Sequence, residues 1–251
     1  MSIELSGRSS VADAALLALG PKAVFVPDHG KARDWREWWS EIKQIEAKRK
    51  IQHIPHLIAQ QEVWTALAET EVDIQSALIL RGDLEPSLGD GLDWLSKIRS
   101  KLPQAKLYVA AYPETHPCAK SRAEDFEVLR EKFACGADSA ITQFCYTSDA
   151  WRKFADDLAG LGIPLRKIHP GLRLLPADET ESFGVEVPEA WRFRSLEERE
   201  EQLLQLLEEV RTIWGADFQP HFFIMRDSES WARVLRSVST LMSMSMPSAS
   251  S

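Results

Sequence analysis

The chain has 251 residues, 44% of them hydrophobic, enough to bury the core of one full-sized α/β domain. With 38 acidic against 30 basic residues it carries a net charge of −8 and no basic run, which argues against nucleic acid as a partner. No apolar stretch reaches membrane-spanning length, and Met1-Ser-Ile-Glu-Leu-Ser lacks a signal-peptide pattern, so the expectation is a cytoplasmic protein with no membrane partner.

Taken in order, strand-length apolar runs alternate with helical periodicity. Ser2–Leu5 reads as a first strand, Val11–Leu19 as a helix closed by Gly20-Pro21, and Ala23–Val26 as a second strand. Asp34–Lys50 is helical, with Trp35, Trp38 and Trp39 at core spacing rather than in a cofactor box. Gln52–Ile58 is a third strand that Pro55 should make irregular near its end. Gln61–Thr70 is a helix, Ser76–Leu80 a strand, Leu92–Leu102 a helix, Lys106–Ala111 a strand, Ser121–Cys135 a helix and Ser139–Phe144 a strand. Asp149–Leu161 is a helix and Leu165–His169 a seventh strand ending at Pro170-Gly171. The acidic, Pro- and Gly-containing stretch Ala177–Arg194 reads as a lid or binding loop, in which packing is the expectation for Phe183 and Trp191. Ser195-Leu-Glu-Glu198 is a capping box opening a helix to Gly215; His221–Met225 is an eighth strand and Ser228–Leu241 the closing helix. Eight strands alternating with helices predict a single (β/α)8 TIM barrel over residues 1–242, with a disordered Ser/Met-rich tail over 243–251. Cys118, Cys135 and Cys145, odd in number and without CxxC spacing, read as reduced thiols, and no metal site is expected.

In such a barrel, residues at strand ends share the C-terminal mouth, where chemistry is done. Glu4, His56, Arg81, Asp83, Tyr112, His116 and Gln143 all fall at or just beyond strand ends. Singly, each has an ordinary alternative: Glu4 as an exposed terminal carboxylate, Asp83 as a turn cap, Tyr112-Pro113 as a core-and-turn element, Gln143 as a strand-end amide. Asp125 and Lys132, on a predicted helix, read equally well as solvated charges. Jointly, their common place on successive units points to one site.

Three segments carry a resemblance. Arg81-Gly82-Asp83-Leu84, Ala110-Ala-Tyr-Pro-Glu-Thr-His-Pro117 with Ala119-Lys120-Ser121, and Gly136-Ala-Asp-Ser-Ala-Ile-Thr-Gln-Phe144, in this order and spacing, resemble bacterial methylenetetrahydrofolate reductases, from Ser2 to about Arg226. Pro55-His56-Leu57, Pro170-Gly171 and Ser2-Ile-Glu4-Leu5 agree with it. The resemblance implies a (β/α)8 barrel that binds FAD at its mouth, takes electrons from NADH or NADPH, and reduces 5,10-methylenetetrahydrofolate to 5-methyltetrahydrofolate. It implies Glu4 as proton donor to N10, its pKa raised by burial. Asp83 would be the carboxylate on the pterin edge, and Gln143 the amide that meets folate or nicotinamide. For FAD it implies His56, Arg81, Gly82, Asp83, Tyr112, His116, Ala119, Asp125 and Lys132, with Arg81 and Lys132 facing the phosphates. A homodimer is the expected association state.

Departures touch the cofactor end. The aromatic and double-proline turn after the family's first strand is Leu5-Ser-Gly-Arg8 here, and its Thr-Tyr-Gly turn is Pro27-Asp-His-Gly30. Val128 and Glu131 replace an Asn and an Arg on the FAD-contacting helix, so either Arg130 substitutes or FAD binds more weakly. Two other readings therefore stay open: a folate oxidoreductase with a different electron partner or direction, including a flavin-independent one, and a folate-binding barrel without turnover.

Overall fold

The computed structural model of the chain describes residues 1–5, 23–27, 35–69, 73–81, 91–173, 181–182, 185–192, 194–224 and 228–243. The helix expected over Val11–Leu19 and residues 244–251 of the expected tail lie outside them. The elements are β1 (Ser2–Leu5), β2 (Ala23–Val26), α1 (Trp35–Arg49), β3 (Gln52–Ile58), α2 (Gln61–Glu69), β4 (Ser76–Leu80), α3 (Gly91–Lys101) and β5 (Lys106–Ala111). There follow α4 (Arg122–Ala134), β6 (Ser139–Phe144), α5 (Ser148–Gly160), β7 (Ile168–Arg173), α6 (Leu196–Trp214), β8 (His221–Ile224) and α7 (Ser228–Ser243). Among the described residues, the eight strands are all parallel and close a barrel in sequence order, β1 pairing with both β2 and β8.

Alternation along each strand sorts side chains between two cores. Ile3, Val24, Leu57, Ile79, Leu107, Ala140, Leu172 and Phe222 face outward into the layer between barrel and helices, where Trp94, Trp151, Phe154, Leu207 and Val210 complete the packing. Ala23, Phe25, Ile54, Leu78, Tyr108 and Ile141 face inward. Trp94 and Trp151 are fully buried, and by area each contributes roughly 4–6 kcal/mol at most. Trp94 also donates its indole N–H to the Leu57 carbonyl at 2.9 Å, tying α3 to β3.

Helix ends follow local chemistry. Ser195 accepts from the Glu198 amide at 3.2 Å while the Glu198 carboxylate accepts from the Ser195 amide at 2.7 Å, so the capping box opens α6 as expected. Ser121 and Thr147 cap α4 and α5 in the same sense. Arg99, at the end of α3, donates to the carbonyls of Ala105 and Gly136 and pairs with Asp138 at 2.6 Å, fastening the entries to β5 and β6.

Two strand expectations are corrected. Gln52–Ile58 runs unbroken through Pro55, because pairing with β2 ends there at Val26 and pairing with β4 starts at His56. The missing N–H thus falls where one ladder hands over to the next. The seventh strand is shifted: Leu165–Lys167 is a 3-10 turn and the strand is Ile168–Arg173, passing through Pro170-Gly171. Gly171 makes this feasible, since a Cβ there would lie 2.1 Å from the Thr142 carbonyl oxygen, beside the register shift between β6 and β7.

In the stretch read as a lid, Glu181–Ser182 and Val185–Glu186 form a short antiparallel pair, and Glu189–Trp191 a 3-10 turn. Trp191 is buried against Tyr146, ring centroids 5.2 Å apart, as packing rather than as a ligand platform; Phe183 lies outside the described residues.

Candidate active site

Strand registers, followed around the barrel and corrected for the tilt that advances each neighbour by about one residue, sort the inward side chains into layers from alternate strands. Ser2, Ile54, Tyr108 and His169 form the lowest of these layers, and Phe25, Leu78, Ile141 and His221 the next. Glu4 and His56 share the third layer with Ala110 and Gly171, and Leu80, Gln143 and Phe223 lie above them toward the mouth. Two polar groups therefore share a layer with two of the smallest residues available, and Gln143 stands in the layer above.

Glu4 lies between two imidazoles. Its Oε2 is 3.3 Å from His56 Nε2 and 3.7 Å from His221 Nε2, and its side chain is 15% exposed. Neither nitrogen meets hydrogen-bond geometry, so the approach is one of charges whenever an imidazole is protonated. His221 is wholly buried, its Nδ1 3.0 Å from Ser2 Oγ and its ring edge-on to Phe25 and Phe223. Burial pushes the Glu4 carboxyl up, but the charge of His56 and the contacts from both imidazoles outweigh it, holding Glu4 well below the usual carboxylate range. This reverses the expectation of a carboxyl raised by burial: the two histidines are the physical reason. Burial lowers the His221 pKa, and Glu4 opposes that shift. Beneath, His169 is pushed down to about 3 by burial and by Lys106 and His221, with its ring tilted against Tyr108 at 5.5 Å.

A second cluster sits between the ends of β4 and β5 and the start of α4. The Tyr112 ring meets His116 edge-on at 4.4 Å; the His116 amide donates to Asp125 at 2.8 Å, and its Nδ1 accepts from the Cys118 amide at 3.0 Å. The Ala119 amide donates to the His116 carbonyl at 2.9 Å. These bonds hold Thr115 at φ 108°, a costly backbone for a β-branched residue that must be over-determined by its surroundings. Burial lowers the His116 pKa; Asp125 raises it, and Lys132 and Arg81 lower it again, so two cations lie within electrostatic reach of this ring.

Lys132 donates to the Ala110 carbonyl at 2.8 Å and borders a small recess with Asp125, Tyr112 and Leu129. Arg130 pairs with Glu127 on the solvent face of α4. The predicted residues thus gather as Glu4, His56 and Gln143 inside the barrel, and Arg81, Tyr112, His116, Ala119, Asp125 and Lys132 beside its mouth. Gly82 and Asp83 lie outside the described residues. Ser2, His169 and His221 went unrecognised as site residues; pairing β8 with β1 in a closed barrel is the signal that sets His221 beside Glu4.

Fold and site define a (β/α)8 barrel with a buried carboxylate below its C-terminal mouth. The family model for methylenetetrahydrofolate reductase matches residues 11–184, and the chain belongs to that family. It is 33% identical to 5,10-methylenetetrahydrofolate reductase of Pectobacterium carotovorum and 32% to that of Escherichia coli K12, each over 165 residues covering 62% of this chain and 55% of the relative. The chain therefore matches about half the length of these curated relatives. In structure it resembles an uncharacterized protein from Clostridium thermocellum described as binding two copies of 5-methyl-5,6,7,8-tetrahydrofolic acid, with a TM-score of 0.69, 14% identity, and coverage of 96% of this chain and 94% of that one. A GH10 endoxylanase from a sugarcane soil metagenome follows at a TM-score of 0.57 and 13% identity, covering 92% and 88%, a likeness of fold alone.

Proposed function

We propose that this chain reduces 5,10-methylenetetrahydrofolate to 5-methyltetrahydrofolate. The observation that carries this reading is Glu4, a buried carboxylate under the mouth with Gln143 in the adjoining layer, in a chain of this family. Opening the folate's five-membered ring needs a proton at N10, which leaves an iminium to accept hydride. Glu4 passes that proton, and its enclosure keeps bulk water from the reacting carbon. Gln143 offers an amide, donor and acceptor at once, to the folate or to a nicotinamide. Asp83 is assigned to the pterin edge on the family resemblance.

For the cofactor, Arg81 and Lys132 supply positive charge that suits phosphate oxygens, and the tightly bonded Tyr112–Ser121 loop, with His116 in it, supplies a fixed wall. This donor set fits FAD; Tyr112, Ala119, Asp125 and His56 would line its remaining length, and Gly82 is assigned there on the family resemblance. When bound, FAD supplies hydride transfer between a nicotinamide and the folate. Glu131 and the engagement of Arg130 with Glu127 favour weaker retention than the family pattern gives, and so keep a flavin-independent folate oxidoreductase as the second reading. A visible spectrum of the purified protein titrated with FAD separates the two: a flavin band retained after desalting supports the first. Titration calorimetry with 5-methyltetrahydrofolate tests both, and absence of binding would overturn both.

A further inference from the structure

We propose that Phe223 is the wall on which the conjugated ring of the folate packs, which makes it a specificity-determining residue of this mouth. The inference rests on the folate-reductase reading for the identity of the ring, while the partly exposed aromatic side chain is a feature of the barrel itself. Exposure marks where the packed interior ends. The inward rings and chains of the lower layers, among them Phe25, Tyr108 and Ile141, are buried. One layer above Glu4 and His56, by contrast, Leu80, Gln143 and Phe223 are each half-buried. That layer is the floor of the mouth, and Phe223 is the aromatic ring in it.

Its place and its pose are both fixed. Phe223 is the register partner of Glu4 on β1, so the ring belongs beside the carboxylate rather than elsewhere around the rim. On its other side β8 pairs with β7, where a Cβ on Gly171 would lie 2.7 Å from Phe223 Cε2. The ring therefore leans onto bare backbone of β7, away from the Glu4 side, and the Glu4 side chain keeps 15% exposure. His221 meets the ring at 4.8 Å and Phe144 at 5.6 Å, both nearly at right angles, and Phe144 in turn lies 5.1 Å from the Arg173 guanidinium. A ring braced on these sides loses little freedom when a ligand packs on it.

The rest of the layer decides which ring Phe223 takes. Leu80 stands diametrically across the barrel on β4, directly before Arg81, so the phosphate-binding side of the mouth is the one opposite Phe223. A dinucleotide held by Arg81 and Lys132 occupies the β4 side, which leaves the β8 side to the folate. Gln143, on β6 between the two, turns an amide toward the edge of whatever ring stands there. A pterin has the matching character, with flat faces that pack on an aromatic wall and a rim of hydrogen-bonding groups.

The test compares wild type with Phe223→Leu, which keeps apolar bulk and removes the ring. Titration calorimetry with 5-methyltetrahydrofolate is expected to show an affinity lower by about tenfold in the variant, with FAD affinity within about twofold of wild type. NMR of the protein with isotope-labelled phenylalanine is expected to give a nuclear Overhauser contact from the Phe223 ring to the pterin or its N5-methyl protons, in a signal that Phe223→Leu lacks. An unchanged folate affinity, or an FAD affinity that falls while that for folate holds, would overturn the proposal. So would an equal fall in both, which marks a side chain that merely supports the barrel. Should Phe223→Leu fail to fold, or the protein hold no FAD, the contact in wild type decides, with the ring assigned by its proximity to His221. Folate bound without that contact sinks this inference alone; no folate bound by wild type sinks it together with the reductase reading.

Discussion

His169 offers a quantitative check on the polar interior. Its imidazole is 7% exposed and is pushed from an ordinary 6.5 to about 3, by burial first and then by Lys106 and His221. Its folded-state pKa is therefore the lower of the two, and between the two values the unfolded chain holds a proton that the folded chain does not. The contribution of His169 to stability is complete above pH 6.5 and is lost progressively as pH falls toward 3. The slope is about 1.4 kcal/mol per pH unit, or about 2 kcal/mol between pH 6.5 and pH 5. The substitution His169→Gln removes this titration, whatever it costs in packing at neutral pH. Denaturant unfolding followed by tryptophan fluorescence at several pH values then measures the gap between wild type and variant. That gap is expected to close by about 2 kcal/mol on acidification from pH 6.5 to 5. Parallel stability curves over that range would refute the assignment of His169 as a buried neutral group.

Three further outcomes follow from other parts of the molecule. Gly171→Ala sets a methyl 2.1 Å from the Thr142 carbonyl oxygen and 2.7 Å from the Phe223 ring, so a loss of about 3 kcal/mol or failure to accumulate as folded protein is expected in expression and unfolding assays. Ser195→Ala removes the cap of α6 and is expected to cost about 1 kcal/mol, seen as a Tm lower by roughly 2–4 °C. Glu4→Gln should lower the rate of folate reduction by about 10²- to 10⁴-fold with folate affinity largely kept, measured as kcat against a calorimetric Kd.

The strands were legible wherever apolar β-branched runs met a polar burst. Ser76–Leu80, Lys106–Ala111 and Ser139–Phe144 have the bounds that the sequence suggests, and Ser195–Glu198 announced α6. Pro55 and Pro170-Gly171 misled because local rules treat proline and glycine as stops. The ladder handover at Val26 and the close approach of the Thr142 carbonyl are tertiary facts that no local window contains. The same limit applies at the site. Glu4, His56 and Gln143 could be named from strand ends and family resemblance. The charge state of Glu4 could not, because it depends on His56 and on His221, the second of which lies 217 positions away and meets Glu4 only when β8 closes on β1.

The central claim is tested most directly by product formation. Purified protein supplied anaerobically with FAD, NADH or NADPH, and 5,10-methylenetetrahydrofolate is expected to yield 5-methyltetrahydrofolate, resolved by chromatography, at a rate that falls by about 10²-fold or more in Glu4→Gln. No 5-methyltetrahydrofolate with either nicotinamide, or an equal rate in the variant, would contradict the account.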